Sequence, residues 1–279
     1  MTESDIGLLF IAGILPGLLG VILYLVAVLV TVTLKPEKGP RGDRFGWPQR
    51  LQALWGVSGV LALFGLVIGG IYGGIFTPTE AAGIGASGAF FIALIRQRLS
   101  WQSLFETLVE SARTTAMIFV ILIGAEIFSN YVNIAGLPEL LSGWVVSFDL
   151  SAIAVIMLIM LVYVVLGTVL ESLSMIMLTV PVFYPLVLGL DLGGYSEALM
   201  DPELALIWFG IIVVVITEIS LITPPVGLNV FVLKSMLDDV KLSTIFRGVT
   251  PFWIVDIVRL MTLILLPGLV LWLPNLMAG

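Results

Sequence analysis

Long apolar segments follow one another along this chain, and polar residues are concentrated in the short stretches between them. Most of these segments are close to the roughly 20 residues that a helix needs to cross a bilayer. They are residues 7–34, 51–68, 79–95, 114–131, 150–166, 167–190, 203–222 and 251–273, with a shorter one at residues 226–237. The pattern predicts an all-α polytopic membrane protein whose single transmembrane domain covers residues 1–279.

Composition narrows the chemistry that the chain can perform. Charged residues make up only 11% of it, whereas soluble domains contain about 25%. It has no cysteine and no histidine, which excludes thiolate and imidazole groups as metal ligands, nucleophiles or proton relays. We considered an intramembrane enzyme as one possible function. Such an enzyme needs clustered carboxylates, and no single segment supplies them. We therefore predict no catalytic residues, no cofactor and, from the net charge of −7, no nucleic-acid partner.

Basic residues predict which side of the membrane each loop faces. The linker at residues 35–50 holds five of the twelve basic residues, and Arg96 and Arg98 follow the third apolar segment. The positive-inside rule places both regions on the cytoplasmic side. The loop at residues 191–203 carries only acidic charge, which predicts the outer side. Alternation of the spans then puts the C-terminus outside.

One stretch has a helical pattern but is too polar to span a membrane. Apolar residues such as Trp101 and Phe105 recur at helical spacing, opposite Glu106 and Glu110. We predict that residues 99–113 form an amphipathic helix at the cytoplasmic surface.

Two consecutive prolines interrupt an apolar run that is long enough to cross the membrane. Pro224 and Pro225 lack backbone N–H groups and clash with the preceding turn, so a continuous helix should break there. Thr223 as N-cap and Pro224 as first helical residue would start a new short helix. Carbonyl and threonine oxygens at such a break suit a bare Na⁺, and free amides suit a carboxylate. The alternative is a proline kink that neighbouring helices repair.

A second polar interruption lies at residues 167–174, where Glu171 is accompanied by Ser172 and Ser174. A glutamate within an apolar region usually faces protein or water rather than lipid. Residues 167–189 either enter the membrane and return as a hairpin, or span it with Glu171 reaching the interface.

Other charged residues in the apolar segments have a structural interpretation. Thr77 and Glu80 flank Pro78 in the pattern of a capping box, which predicts the start of a helix. Asp256 and Arg259 lie three residues apart and are expected to pair with each other.

Three motifs together resemble one family of transporters. They are the glycine-rich residues 69–82, the stretch at residues 167–181 and the interrupted segment at residues 222–229. In this order they resemble the large membrane subunit of tripartite ATP-independent periplasmic (TRAP) transporters. The resemblance implies an elevator-type transporter with a re-entrant hairpin and broken helices, forming the later part of an inverted-repeat fold. It also implies Na⁺-coupled uptake of organic acids, either C4-dicarboxylates or sialic-acid-like carboxylates.

The same resemblance implies which residues form the site, within a hairpin and broken helix at residues 167–237. The candidate substrate-binding residues are Glu171, Ser172, Ser174, Pro224, Pro225 and Asn229. The candidate Na⁺ ligands are Gly167, Thr168, Thr223 and Gly227, largely through main-chain carbonyl groups. Na⁺ is expected as a coupling ion.

The resemblance further implies partners and a location. A small membrane subunit of the same transporter and a periplasmic substrate-binding protein are expected, together with an organic acid substrate and the lipid bilayer. The expected location is the bacterial inner membrane, with several spans and a periplasmic C-terminus.

In one respect the sequence differs from that family. Its first residues look like the stretch that follows the first broken helix of such subunits, and neither the first hairpin nor the first broken helix is found. We therefore expect an N-terminally incomplete or split subunit. Two alternatives stay open, another elevator-type anion/Na⁺ symporter and a non-transporting fragment.

Overall fold

The computed structural model describes residues 6–40, 42–43, 46–97, 99–237 and 239–278, and the regular structure within these ranges is helical. The α-helices of this described part are α1 (Ile6–Ala12), α2 (Ile14–Leu34), α3 (Trp47–Tyr72), α4 (Pro78–Ile95), α5 (Trp101–Ile134), α6 (Leu137–Ser147), α7 (Ala152–Gly167), α8 (Ser172–Leu188), α9 (Pro202–Ser220), α10 (Leu228–Met236), α11 (Leu242–Leu265) and α12 (Gly268–Ala278). Short 3-10 helices occupy Pro36–Lys38 and Glu197–Leu199.

Six helical segments of the described chain are long and apolar enough to cross a membrane. They are Ile6–Leu34, which combines α1 with α2, and Trp47–Tyr72, Pro78–Ile95, Trp101–Ile134, Pro202–Ser220 and Leu242–Leu265. The predicted all-α polytopic membrane protein is thereby confirmed. The side of the membrane that the C-terminus occupies stays a prediction. Arg41 and Arg44 of the basic linker and Arg98 lie outside the described residues.

The amphipathic segment at residues 99–113 is not a separate helix. Instead, α5 runs without interruption from Trp101 through Arg113 to Ile134. No proline or glycine lies near the predicted boundary at Thr114, so nothing in the backbone stops the helix from propagating into the apolar segment.

The last predicted span, at residues 251–273, also differs from the structure. α11 begins before Pro251 and carries this proline in its interior. It ends before Leu266, which precedes Pro267, and a residue before proline is disfavoured in the helical conformation. The predicted span is therefore divided between α11 and α12.

The chain, predicted as one domain, divides into two compact units, residues 1–38 with 120–279 and residues 39–119. In the smaller unit α3 packs against α4. The predicted capping box starts α4, because the Glu80 amide donates to the Thr77 hydroxyl at 3.3 Å and the Thr77 amide donates to the Glu80 carboxylate at 2.9 Å.

α9 is the central helix of the larger unit. Of its most apolar window, 67% is buried, against 28% or less in the other five candidate spans. It contacts α1, α7, α8, α11 and α12, and Trp208 and Ile212 on it are fully buried. Because α9 leads directly into the double proline, the break is attached to the most enclosed of these spans.

Candidate functional site

The turn at residues 221–227 separates α9 from α10. α9 ends at Ser220, and α10 begins at Leu228 with Gly227 as its N-cap. The predicted break is therefore present, but the expected start of the second helix at Thr223 and Pro224 is wrong. Pro224 and Pro225 are joined by a cis peptide bond and lie in the turn itself.

Gly227 is the residue that allows the new helix to begin. Its φ of +59° lies in the left-handed region, which residues with a Cβ atom adopt only at a cost. A Cβ atom there would also lie 3.3 Å from both the Thr223 carbonyl oxygen and the Phe246 ring. The Asn229 amide donates to the Leu221 carbonyl at 3.1 Å, so the first turn of α10 is tied back to the end of α9.

The main-chain carbonyl groups of Ile222 and Thr223 lie at the start of this turn. Among the described residues, no hydrogen bond reaches the main-chain oxygens of Ile222 and Thr223. These oxygens follow the C-terminal end of α9, where the helix dipole places partial negative charge. The arrangement suits a cation.

The second predicted element is a helical hairpin whose position differs from the prediction. Residues 172–188 form one helix, α8, so the chain does not turn back within that range. The turn lies at residues 168–171, and α7 provides the first arm, in contact with α8. Pro181 and Pro185 remain inside α8. Whether the hairpin is re-entrant stays a prediction.

Glu171 holds the tip of this hairpin. As N-cap of α8 its carboxylate accepts hydrogen bonds from the amides of Leu173 at 3.0 Å and Ser174 at 3.2 Å. The Ser172 hydroxyl donates to the same carboxylate at 2.8 Å. The hydrogen-bond donors to Glu171 therefore belong to its own helix. This is a structural role, whereas the sequence predicted a contact between Glu171 and the substrate.

Both arms of the hairpin pack against α9, and Gly167 lies against Ser220 where α7 and α9 end. A Cβ atom on Gly167 would overlap the Ser220 side chain. The C-terminal ends of α7 and α9 therefore lie side by side. The Gly167 and Thr168 carbonyl oxygens, like those of Ile222 and Thr223, receive no hydrogen bond within the described chain.

Not all predicted site residues are brought together. No hydrogen bond in the described ranges joins Glu171, Ser172 or Ser174 to residues 223–229. Of the predicted Na⁺ ligands, Gly167 ends α7 against Ser220, the last residue of α9 before the turn that contains Thr223 and Gly227.

Two side chains of this site, as well as the carbonyl oxygen of Ile222, are absent from the sequence-based prediction. Ser220 contacts Gly167, and Trp253 on α11 donates a hydrogen bond from Nε1 to the Thr223 hydroxyl at 2.8 Å. The short distance in sequence between Ser220 and the double proline could have indicated that Ser220 belongs to the site. Nothing in the sequence pairs Trp253 with Thr223, since thirty positions separate them.

Comparison with known proteins gives the family to which this architecture belongs. Residues 1–269 match the family described as "Tripartite ATP-independent periplasmic transporter, DctM component". The chain belongs to this family. The resemblance inferred from the three motifs is therefore confirmed.

Curated relatives agree with this assignment. The C4-dicarboxylate TRAP transporter large permease protein DctM of Pseudomonas aeruginosa is 35% identical over 277 residues, which cover 98% of this chain and 61% of that protein. Its namesake in Vibrio cholerae is 29% identical over 299 residues, covering 100% and 63%. The sialic acid TRAP transporter large permease protein SiaM of Vibrio cholerae is 29% identical over 284 residues, covering 100% and 62%.

Two facts follow from these comparisons. The relatives are transporter permeases and not enzymes, which agrees with the prediction of no catalytic residues. The chain spans about three fifths of the length of the curated relatives that it matches.

Proposed function

We propose that this chain contributes a Na⁺ site and one wall of a substrate site to an importer of organic acids that works by an elevator mechanism. In this proposal a small membrane subunit and a periplasmic substrate-binding protein complete the transporter in the bacterial inner membrane. The names of the relatives support organic acids as the substrate class, because they include C4-dicarboxylates and sialic acid.

One observation carries the proposal, namely the apposition of the ends of α7 and α9 at Gly167 and Ser220. Two helix C-termini at the same place concentrate partial negative charge without a fixed anion. The carbonyl oxygens of Gly167, Thr168, Ile222 and Thr223, which receive no hydrogen bond from the described residues, lie at these two ends. Oxygen ligands from backbone breaks are what secondary transporters use for Na⁺.

The proposed substrate wall uses a different set of groups. α10 begins at Leu228, so its N-terminus presents the positive end of a helix dipole, which suits a carboxylate. The side chains of Ser172, Ser174 and Asn229 can add hydrogen bonds to a polar substrate. Glu171 supports this wall by holding the hairpin turn. We assign it no direct contact with the substrate, because its negative charge would repel a substrate carboxylate.

Ion dependence of stability tests the Na⁺ part of the proposal directly. The chain purified in detergent is melted in NaCl, KCl and choline chloride at equal ionic strength. A ligand that binds only the folded state raises its stability in proportion to the logarithm of the ligand concentration, so we expect melting to rise with Na⁺ alone. Equal melting temperatures in the three salts would contradict the proposed Na⁺ site.

Uptake tests the transport part. Proteoliposomes contain this chain in its complete transporter, with the small subunit and binding protein supplied, and a labelled C4-dicarboxylate or sialic acid outside. We expect accumulation under an inward Na⁺ gradient and none under a K⁺ gradient. Uptake that is unchanged by replacing Na⁺ with K⁺ would contradict the proposed Na⁺ coupling. Uptake without any binding protein would favour a different elevator-type carrier.

A further inference from the structure

Three polar contacts join α9 to α11 in an antiparallel register. Trp208 on α9 donates from Nε1 to the Leu263 carbonyl at 3.0 Å, near one end of the interface. Arg259 on α11 pairs with Glu218 at 3.2 Å further along. The Trp253 indole N–H reaches the Thr223 hydroxyl at 2.8 Å, beyond the last residue of α9. Of these three contacts, the one from Trp253 enters the turn that forms the candidate site.

The Thr223 hydroxyl is held in one orientation by this contact. It donates its proton to the Ile219 carbonyl at 2.6 Å while accepting from Trp253. A hydroxyl has one donor and two acceptor positions, so a single lone pair of Thr223 remains. The side chain is only 6% exposed, which leaves little freedom to reorient.

Trp253 lies in a part of α11 that packs against α2. Asp256, one turn further on, is 1% exposed and accepts a hydrogen bond from Tyr24 of α2 at 2.5 Å. Phe252 meets the Tyr24 ring edge to face at a centroid distance of 5.4 Å. Arg259 packs against α2 at Gly20, where a Cβ atom would overlap its guanidinium. α11 is thus fixed to α2 on both sides of the indole.

We propose that Trp253 is a positioning residue for the candidate cation site. Its indole N–H sets the rotamer of Thr223 and aims the remaining lone pair, and it holds the turn that presents the Ile222 and Thr223 carbonyl oxygens. Trp253 does not contact the ion. This inference rests on the proposed Na⁺ site, and it adds a residue that lies thirty positions away in sequence.

A matched pair of tryptophan substitutions separates positioning from simple stability. Trp253→Phe and Trp208→Phe remove the same indole donor from the same α9–α11 interface, and both are expected to lower the melting temperature in KCl. Only Trp253→Phe should raise the Na⁺ concentration for half-maximal stabilisation, by roughly fivefold for the loss of one ordinary hydrogen bond. Equal Na⁺ dependence in the two variants would overturn the proposal.

A double-mutant cycle tests whether Trp253 acts through Thr223. Thr223→Val removes the acceptor of the same hydrogen bond. Thr223→Val with Trp253→Phe should require about the same Na⁺ concentration as Thr223→Val alone, since partners in one contact are not additive. Additive losses would show that Trp253 acts independently of Thr223 and would overturn the proposal.

Hydrogen exchange distinguishes failure of this inference from failure of the proposed function. If the unmodified chain melts identically in NaCl and KCl, the proposed Na⁺ site fails. The positioning of the turn is then measured in KCl by amide exchange over residues 221–230, which include the Asn229 amide bonded to Leu221. Faster exchange in Trp253→Phe than in Trp208→Phe supports positioning, and equal exchange overturns it.

Discussion

Gly167 lies directly against Ser220, with no space for a Cβ atom between the end of α7 and the end of α9. This contact lies where α7 and α9 end, and it brings together two helix ends of the same sign. A glycine is required there because any larger residue would separate the helix ends. The candidate cation site therefore depends on a contact that contains no ligand side chain.

Gly167→Ala tests this contact. The added methyl group must displace Ser220, and overpacking of this kind costs about 1–3 kcal/mol of stability. We expect a lower melting temperature and loss of the Na⁺-dependent increase. Gly124→Ala in α5 is the control, because a Cβ atom there meets nothing within 4 Å.

A compensating substitution sharpens that result. The added Cβ would overlap both Oγ and Cβ of Ser220, so Ser220→Ala should not relieve it. Ser220→Gly in the Gly167→Ala background should restore part of the stability and the response to Na⁺. If Ser220→Ala restored as much stability as Ser220→Gly, the overlap with Cβ of Ser220 would not be the cause of the loss.

Gly227→Ala is expected to disturb the start of α10. A non-glycine residue in the left-handed region costs about 1–2 kcal/mol, and the new Cβ would also crowd Phe246 and Thr223 at 3.3 Å. Gly74 has a similar φ of +66° but open space around it. Gly74→Ala should therefore lose less stability in thermal melts, and it should leave the Na⁺ response unchanged.

Arg259→Met should be among the most destabilising single changes in the larger unit. Arg259 is 7% exposed and pairs with Asp256, which is 1% exposed, at 3.2 Å. Removing one partner of a buried ion pair costs about 3–5 kcal/mol, because the other charge stays buried. Unfolding measurements should show that Asp256→Asn recovers part of this loss in the double variant.

The exposed pair between Arg113 and Glu110 provides the contrast to Arg259. Its side chains are 76% and 70% exposed. Arg113→Met should change the stability by no more than about 0.5 kcal/mol, as surface substitutions usually do. A loss comparable with that of Arg259→Met would contradict the role assigned to burial.

Thr77→Ala tests the capping box of α4. Loss of an N-cap side chain costs about 1 kcal/mol, so exchange of amides in the first turn of α4 should become faster. Thr33→Ala is the control, because the exposed Thr33 hydroxyl donates only to the Leu29 carbonyl within its own helix. Neither change should alter the Na⁺ response, since each hydroxyl bonds to its own helix.

Local chemistry was readable from the sequence where it involves near neighbours. The Thr77–Glu80 capping box, the Asp256–Arg259 pair and the interruption at Pro224 all rest on residues a few positions apart, and the structure contains each of them. Boundaries were less accurate. Gly227, rather than Thr223, starts the second helix because its backbone adopts a left-handed conformation that spacing alone does not reveal.

Contacts between distant parts of the chain were not predictable. Gly167 with Ser220 and Trp253 with Thr223 are fixed by how α7 and α11 pack on α9. Residue type gave no indication, because a glycine or a tryptophan in an apolar segment is ordinary in membrane helices. The predicted hairpin covered residues 167–189, whereas residues 172–188 form the single helix α8, with Pro181 and Pro185 in its interior.

The unbroken length of α5 has a consequence of its own. Its 34 residues extend about 51 Å at 1.5 Å per residue, whereas the hydrocarbon core of a bilayer is about 30 Å thick. Even a tilt of 40° would shorten the projection only to about 39 Å. Part of the helix must therefore emerge into the head groups or water, and Glu106, Glu110 and Arg113 mark the end that does so. A surface position for residues 99–113 stays a prediction, and the length of α5 is compatible with it without a separate helix.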